Sequence, residues 1–358
     1  MNPPRGAVIA VAVSGGVDSA MAALWLKERG ATVIGVHLTL PFYGPDDANR
    51  VTPDMMAELG RQLDLPISFI DASKHFEREV VSNFVDEYAR GRTPNPCVLC
   101  NKMIKFGFLW DEITHLGADY LATGHYARTG CGGKSNEWGL YRGIDRGKDQ
   151  SYFLHRLPYA RLSRVVLPLG GVTKEEIRQD AVRRGLRLAA SKESQEVCFL
   201  PPGGYREFLE RRLAPEQRMT GELVDTAGEV LGCHRGLYAY TVGQRHGLGI
   251  CGPYPRYVVS LQPDRNRVVV GLKDELWADR LEAEDWNWLL PEPPVSSIRS
   301  KVRVRYRHEA ASALIIPHSS SRVSIIFDQP QRAITPGQAA AAFDDDRVLG
   351  GGWISRVD

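Results

Sequence analysis

The chain lacks long apolar runs, has few cysteines and carries almost no net charge, and each shortage removes a class of function. The apolar stretch at residues 7–13 falls far short of the ~18 residues that a membrane helix needs. It runs into Ser-Gly-Gly rather than a small-residue cleavage site, so it does not read as a signal peptide; a cytoplasmic protein with no membrane partner is expected. Lys and Arg number 45 against 43 Asp and Glu, a net +2. That balance excludes a uniformly basic coat for polyanions, so a nucleic-acid partner has to be held by a local patch. Six cysteines in 358 residues are too sparse for a disulfide scaffold, and in a reducing compartment thiols are more often ligands or catalysts than staples. Repeats and low-complexity tracts are missing too, and the 43% hydrophobic and 25% charged content is that of an ordinary globular protein.

What is present is a chain long enough for two or three domains. Residues 7 to about 125 alternate strand-like and helix-like patterns, the mark of a mostly parallel α/β sheet. Strands are expected at 7–13, 32–38, 67–70 and 119–122, with a helix after the first whose end is capped by Gly30. Phe76, Val80, Phe84 and Tyr88 recur at helical spacing, and Arg92-Thr-Pro-Asn-Pro96 cannot continue that helix because each proline removes a donor. Pro201-Pro-Gly-Gly204 reads as a linker. Beyond it lie short strands broken by Gly, Pro and Asn/Asp turns, first as a small β unit and then as a compact barrel. The expected domains are 1–204, 205–277 and 278–358.

Ser14-Gly-Gly-Val-Asp-Ser19 stands between a buried strand and a helix, where backbone N–H groups and the positive helix end converge on an anion. A Walker loop would add a lysine, and none is present in this string; the Lys-free version resembles the PP-loop of ATP pyrophosphatases. Ligands of open parallel sheets sit beyond the carboxyl ends of the strands, which places Leu38 and Thr123-Gly-His-Tyr126 beside the same loop. Gly247-Leu-Gly-Ile-Cys-Gly252 satisfies a dinucleotide pattern, but Pro253 and Pro255 follow where a helix should begin, so it reads as a β-domain loop.

Cys97 and Cys100 lie three residues apart at the start of a helix, which brings both sulfurs to one side and favours thiolate. Zinc would need two further ligands, and no second C-x-x-C is present; Cys198 is the best remaining thiol, while Cys131, Cys233 and Cys251 read as packing or surface residues. Arg299, Lys301, Arg303, Arg305 and Arg307 recur with period two, giving a strand with a basic face opposite Val302, Val304 and Tyr306.

Together with Lys148-Asp-Gln-Ser-Tyr152, Ser194-Gln-Glu-Val-Cys198, Thr241-Val-Gly-Gln-Arg245 and Thr335-Pro-Gly-Gln338, these motifs stand in family order, and the chain resembles the bacterial tRNA-specific 2-thiouridylases over essentially its whole length. The resemblance implies a Rossmann-like PP-loop domain that adenylates the C2 oxygen of the wobble uridine, position 34, followed by sulfur transfer, with ATP and Mg2+ as cofactors and tRNA as substrate. By position, Ala12, Val13, Ser14, Gly15, Gly16, Val17, Asp18, Ser19, Leu38 and Gly124 fall to ATP. Asn95, Pro96 and Cys97 fall to the target base, and His125, Lys148, Asp149, Gln150, Arg305, Tyr306 and Gln338 to tRNA. Cys198 corresponds to the persulfide carrier and Cys100 to the partner nucleophile. Cys97 departs from many relatives, which have an Asp there. A thiol differs from a carboxylate in charge, size and softness, and the variant resembles iron–sulfur-dependent thiolases, with Cys97, Cys100 and Cys198 holding a [4Fe–4S] cluster that has one open iron. The sulfur donor is then a cysteine desulfurase, a relay protein or inorganic sulfide. Other PP-loop enzymes, in which nitrogen attacks the adenylate, need no paired thiols, and a non-catalytic RNA binder would have no use for an intact phosphate loop.

Overall fold

A computed structural model describes residues 6–43, 51–132, 137–186, 197–201 and 203–358. Its first layer is a parallel sheet of β1 (Val8–Ala12), β2 (Thr32–Thr39), β3 (Ile67–Asp71), β4 (Tyr120–Ala122) and β7 (Val165–Val166), ordered β3-β2-β1-β4-β7. Central β1 is covered on both faces, and Ile9, Ala10 and Val11 are fully buried, which is why its sequence is continuously apolar rather than alternating. The two-residue β7 was not expected.

The loop after β1 opens α1 (Val17–Glu28). Gly30 follows its last turn with φ +83°, the left-handed conformation that a glycine tolerates at a helix end. α2 (Pro53–Leu63) is capped by the Thr52 side chain. A helical run then passes through α3 (Ser73–Phe76), a π-helical stretch at Glu77–Val81 and α4 (Ser82–Ala89). The Arg92–Pro96 joint breaks it as expected. The next run begins with α5 (Pro96–Cys100), widens into a π-helix at Asn101–Phe108 and ends in α6 (Leu109–His115). Pro96 sits at the first helical position, where its missing N–H costs nothing. Wide turns of this kind gather at functional sites, and this one carries Lys105. α7 (Lys174–Arg183) returns to pack on α1, and α8 (Gly204–Glu210) leads into the second unit.

That unit is a four-stranded sheet of β8 (Gly221–Val224), β9 (Val230–His234), β10 (Tyr257–Gln262) and β11 (Arg267–Gly271), with β8 and β11 parallel. Residues 247–252 form a loop there and open no helix. The third unit is a closed antiparallel barrel. β12 (Trp277–Trp288), β15 (Arg322–Arg332), β14 (Ala311–Ser319), β13 (Ile298–Arg303), β16 (Ala339–Asp344) and β17 (Arg347–Val357) follow one another round it, and a β12–β17 pairing closes the ring. The hairpin β5 (Ala127–Gly132) and β6 (Glu137–Arg142), which precedes β7 in the chain, hydrogen-bonds to β17 instead of the parallel sheet. The hairpin, though it comes from the first unit, therefore extends the barrel's sheet and ties the two units together.

The basic strand needs correcting. β13 stops at Arg303, and residues 304–307 turn, so the period-two face does not extend to Arg305 or Arg307. Arg299 is paired with Asp328, Arg303 is buried over the Phe343 ring, and only Arg299, Lys301 and Arg307 are exposed. Turn geometry at the strand end overrides the alternation read from sequence.

Candidate active site

At the carboxyl end of β1 the chain turns through Ser14 and Gly15. Gly15 has φ +86°, and a Cβ there would stand 3.0 Å from Val51. The Ser19 hydroxyl donates to the Gly16 carbonyl and accepts from the Ser14 N–H, each at 3.0 Å, and lies 3.1 Å from the Ser14 hydroxyl. Ala12 is half-buried and Val13 buried behind the turn; the Val13 N–H donates to the Val36 carbonyl and its carbonyl meets the His37 ring. Leu38, half-buried at the end of β2, packs between two cores. Gly124 is appressed to the loop: a Cβ there would lie 2.9 Å from the Asp18 carbonyl carbon and from the Ser19 nitrogen.

Asp18, in the first turn of α1, is the hub. Its carboxylate accepts from the Tyr126 hydroxyl at 2.7 Å and from Lys174 Nζ at 2.7 and 2.6 Å. The sequence reading missed Lys174, which is buried and lies 156 residues away. The loop without a lysine in its own string receives one from the start of α7. Its local signal was a capping box, Thr173 with Glu176, which marks a helix start but says nothing of where that helix lands.

The thiols gather near the core that Cys100 and Phe199 share with Leu38. Cys97 and Cys100 occupy α5, whose cap is the Asn95 side chain accepting from the Val98 N–H. Cys198 is fixed by its neighbour Phe199, which is buried against Phe76, Phe84 and Phe208; residues 194–196 of its motif lie outside the described residues. Cys97 and Cys198 keep exposed surface while Cys100 is buried. The three are close enough for charge on one to act on another: desolvation first, and the Cys198 thiolate second, raise the Cys97 pKa. Desolvation pushes Cys100 up to about 12 and raises Cys198 as well. Lys105 opposes the rise at all three. His125, buried, bonds to the Thr123 hydroxyl at 2.7 Å; burial and then Lys105 hold its pKa well below the usual imidazole value, so it is neutral at physiological pH.

Several residues assigned to tRNA or base by resemblance have internal partners. Asp149 is buried and accepts from the Gly143 and Ser151 N–H groups and from Arg142. Gln150 accepts from the Tyr126 N–H, and the half-buried Lys148 heads the same turn. Arg305 donates to the carbonyls of Val242 and Ala333 and to the Thr335 hydroxyl. Gln338 donates to the carbonyls of Thr93 and Pro94 at 3.0 and 3.1 Å, and the Thr93 N–H reaches the Pro336 carbonyl. Tyr306 packs in a tilted arrangement against Phe153, with ring centroids 4.5 Å apart. Pro96 is buried, whereas Cys97 is exposed. The Thr241, Arg305 and Thr335 motifs thus form one junction that braces the joint starting the cysteine helix.

Family models match three successive segments: a tRNA methyl transferase HUP domain at residues 7–202, a tRNA methyl transferase PRC-barrel domain at 206–272 and an aminomethyltransferase beta-barrel domain at 278–354. A tRNA-specific 2-thiouridylase of Geobacter metallireducens is 45% identical, covering 97% of this chain and 96% of its own. One from Moorella thermoacetica is also 45% identical, at 97% and 99% coverage. The chain belongs to the tRNA-specific 2-thiouridylase family. Among solved structures, a U34-tRNA thiolase of Methanococcus maripaludis with its [4Fe–4S] cluster is similar at 16% identity and a TM-score of 0.37, over 54% of this chain and 62% of that one. That likeness is too distant to bear on the thiouridylase chemistry here.

Proposed function

We propose that the chain is a tRNA-uridine 2-sulfurtransferase that thiolates the wobble uridine at the expense of ATP. One observation carries the reading: three thiols from two remote segments gather around Lys105, whose charge also reaches His125, the neighbour of the Gly124 that is appressed to the Ser14 to Ser19 loop, which supports an activating site and a sulfur-handling site that adjoin. Methyl transfer, the term in two of the family descriptions, would leave both without work.

In the first half-reaction the C2 oxygen of uridine attacks the α-phosphorus of ATP, and pyrophosphate leaves with the electron pair of the broken P–O bond. The Ser14 to Ser19 loop holds the phosphates, and Gly124 allows their close approach. The Cys198 persulfide then attacks C2 and AMP departs; Cys100 attacks the Cys198 sulfur, releasing 2-thiouridine and leaving a Cys100–Cys198 disulfide for an external thiol to reduce. In the resting site the thiols are held protonated, so Cys100 acquires its nucleophilic form only when substrate alters its surroundings, with Lys105 favouring the thiolate.

A second reading rests on the third thiol, for which this sequence has no step. Among the described residues no three Cys, His, Asp or Glu side chains are placed to hold one metal ion, which does not suit zinc. The donor set itself, three soft thiols of one unit, fits a [4Fe–4S] cluster, in which each thiolate binds a different iron; Cys97, Cys100 and Cys198 would hold it, and it would supply an open iron for inorganic sulfide. Anaerobic purification with iron and sulfide analysis, coupled to a 2-thiouridine assay on unmodified tRNA, decides. Activity without iron, retained in Cys97→Ala and lost in Cys100→Ala and Cys198→Ala, establishes the persulfide route. Loss on iron removal establishes the cluster. Failure to form AMP and pyrophosphate in the presence of tRNA refutes the function itself.

A further inference from the structure

A nearly neutral chain that handles RNA needs a local basic patch, and the barrel strand expected to supply one turns after Arg303. The middle unit offers another. Residues 230–263 carry Arg235, Arg245 and Arg256 and not one Asp or Glu. Elsewhere, arginines such as Arg184, Arg211 and Arg267 are tied to carboxylates, whereas these three have no carboxylate partner among the described residues. The connection between β9 and β10 brings them together. Arg245, His246, Tyr254 and Arg256 line a cleft of about 440 Å³ there, and a Cβ on Gly247 would stand 3.8 Å from the Arg235 guanidinium. Gly247 and Gly249 have φ +74° and +70°, the left-handed backbone from which concave, anion-holding arrays of amides are built. Among the described residues no backbone N–H from 245 to 252 donates a hydrogen bond. The neck of the loop is nevertheless fixed, because Gln244 accepts from the Thr241 and Val258 N–H groups and donates to the His246 carbonyl. Leu248 and Ile250 anchor its root in the core that contains Cys100 and Phe199. Tyr254, 71% exposed, stands between two prolines that restrict its backbone.

We infer that this cleft is an RNA-backbone site of the middle unit, in which Arg235, Arg245 and Arg256 and the loop amides hold phosphodiesters of the tRNA while Tyr254 stacks on an unpaired base. The inference rests on tRNA being the substrate. A guanidinium matches phosphate oxygens with two parallel donors, and the amides add donors that need no side-chain ordering. A polynucleotide repeats charge and flat base at short intervals, which suits a cleft that sets a tyrosine among arginines; an acidic protein surface would suit the arginines alone. None of the residues lining the cleft belongs to the phosphate loop or the cysteine helix, so its contribution falls on RNA affinity rather than on the chemistry.

The test uses the full chain and unmodified tRNA, with the Kd measured by fluorescence anisotropy across a range of salt. Each phosphate that a cation neutralises contributes about 0.7–0.9 to the slope of log K against log salt. Arg245→Ala/Arg256→Ala should therefore flatten the slope by about 1.4–1.8, equivalent to roughly 25- to 60-fold in affinity over one decade of salt. Arg245→Lys/Arg256→Lys should restore the slope, a rescue that a merely structural role would not give. Tyr254→Ala should weaken binding roughly 5- to 150-fold with the slope unchanged, and Tyr254→Phe should bind like wild type. The KM for tRNA should follow the Kd, and the KM for ATP should stay constant. Wild-type affinity and slope in the folded alanine double variant overturn the inference, whether or not sulfur transfer from a donor protein is impaired. So does a loss that the lysines do not rescue and that accompanies a fall in melting temperature. Wild-type affinity in Tyr254→Ala overturns it too, since arginines alone would equally suit an acidic protein. If the wild-type enzyme binds tRNA but releases no pyrophosphate from ATP, the adenylation reading fails, and the binding comparison still judges the cleft.

Discussion

Gly124→Ala offers the sharpest test of how closely the strand-four loop is fitted to the phosphate loop. The added methyl would stand 2.9 Å from the Asp18 carbonyl carbon and the Ser19 nitrogen and 3.1 Å from the Asp18 Cβ. Two of these three obstacles are backbone atoms, so no side chain can swing away, and the first turn of α1 or the residue 123–126 segment has to move. Overpacking of this kind costs about 1–3 kcal/mol. Gly124 does not have a positive φ, so the cost is steric alone. If roughly half of it, about 0.5–1.5 kcal/mol, is relieved by displacing the loop, the lost phosphate positioning corresponds to roughly a 2- to 12-fold rise in the KM for ATP, since ~1.4 kcal/mol is one decade. Pyrophosphate release at varied ATP and saturating tRNA measures the change, and denaturant unfolding measures the remainder. An unchanged KM for ATP together with unchanged stability would show that the loops are not in contact, and would refute the assignment of Gly124 to the nucleotide side of the site.

Asp18→Ala and Ser14→Ala are each expected to abolish tRNA-dependent pyrophosphate release, and Ser14→Ala to do so with little change in melting temperature; wild-type rates in both would remove the loop from catalysis. Arg305→Ala should cost about 3 kcal/mol in unfolding experiments, because three acceptors lose a charged donor. Exposed Lys301→Ala should alter stability by less than about 0.5 kcal/mol while flattening the salt dependence of tRNA binding; the opposite ranking would restore Arg305 to an RNA-facing role. The raised thiol pKa values make the folded state the better proton binder. Their stabilising contribution is therefore complete below the ordinary thiol value of 9.0 and is lost as pH rises through the Cys100 value of about 12. Between pH 9 and 10, Cys100→Ala should show a shallower fall in stability than wild type, by at most about 1.4 kcal/mol per pH unit; equal slopes would contradict the desolvated thiol.

The α/β opening, the phosphate loop and the proline joint were legible in the sequence because each is decided by neighbours along the chain. An uninterrupted apolar strand, a Gly-Gly turn and a Pro-Asn-Pro break carry their own backbone consequences wherever they are placed. Cys97 and Cys100 were legible as a pair for the same reason, since three residues of helix fix their common side. Tertiary structure alone decided the rest. Lys174 reached Asp18 because α7 packs on α1, and nothing in a capping box records which loop it faces. Arg305 looked like one member of a basic stripe, yet the chain turns after Arg303 and half-buries it among two carbonyls and a hydroxyl from two other segments. Gln338 and Asp149 were assigned to tRNA by resemblance, but Gln338 braces the residue 92–96 joint and Asp149 is buried among the Gly143 and Ser151 N–H groups and Arg142. The hairpin of β5 and β6 is adjacent in sequence to the parallel sheet but pairs with β17, because strand pairing depends on which open edge lies within reach, a property of the assembled fold that local sequence does not encode.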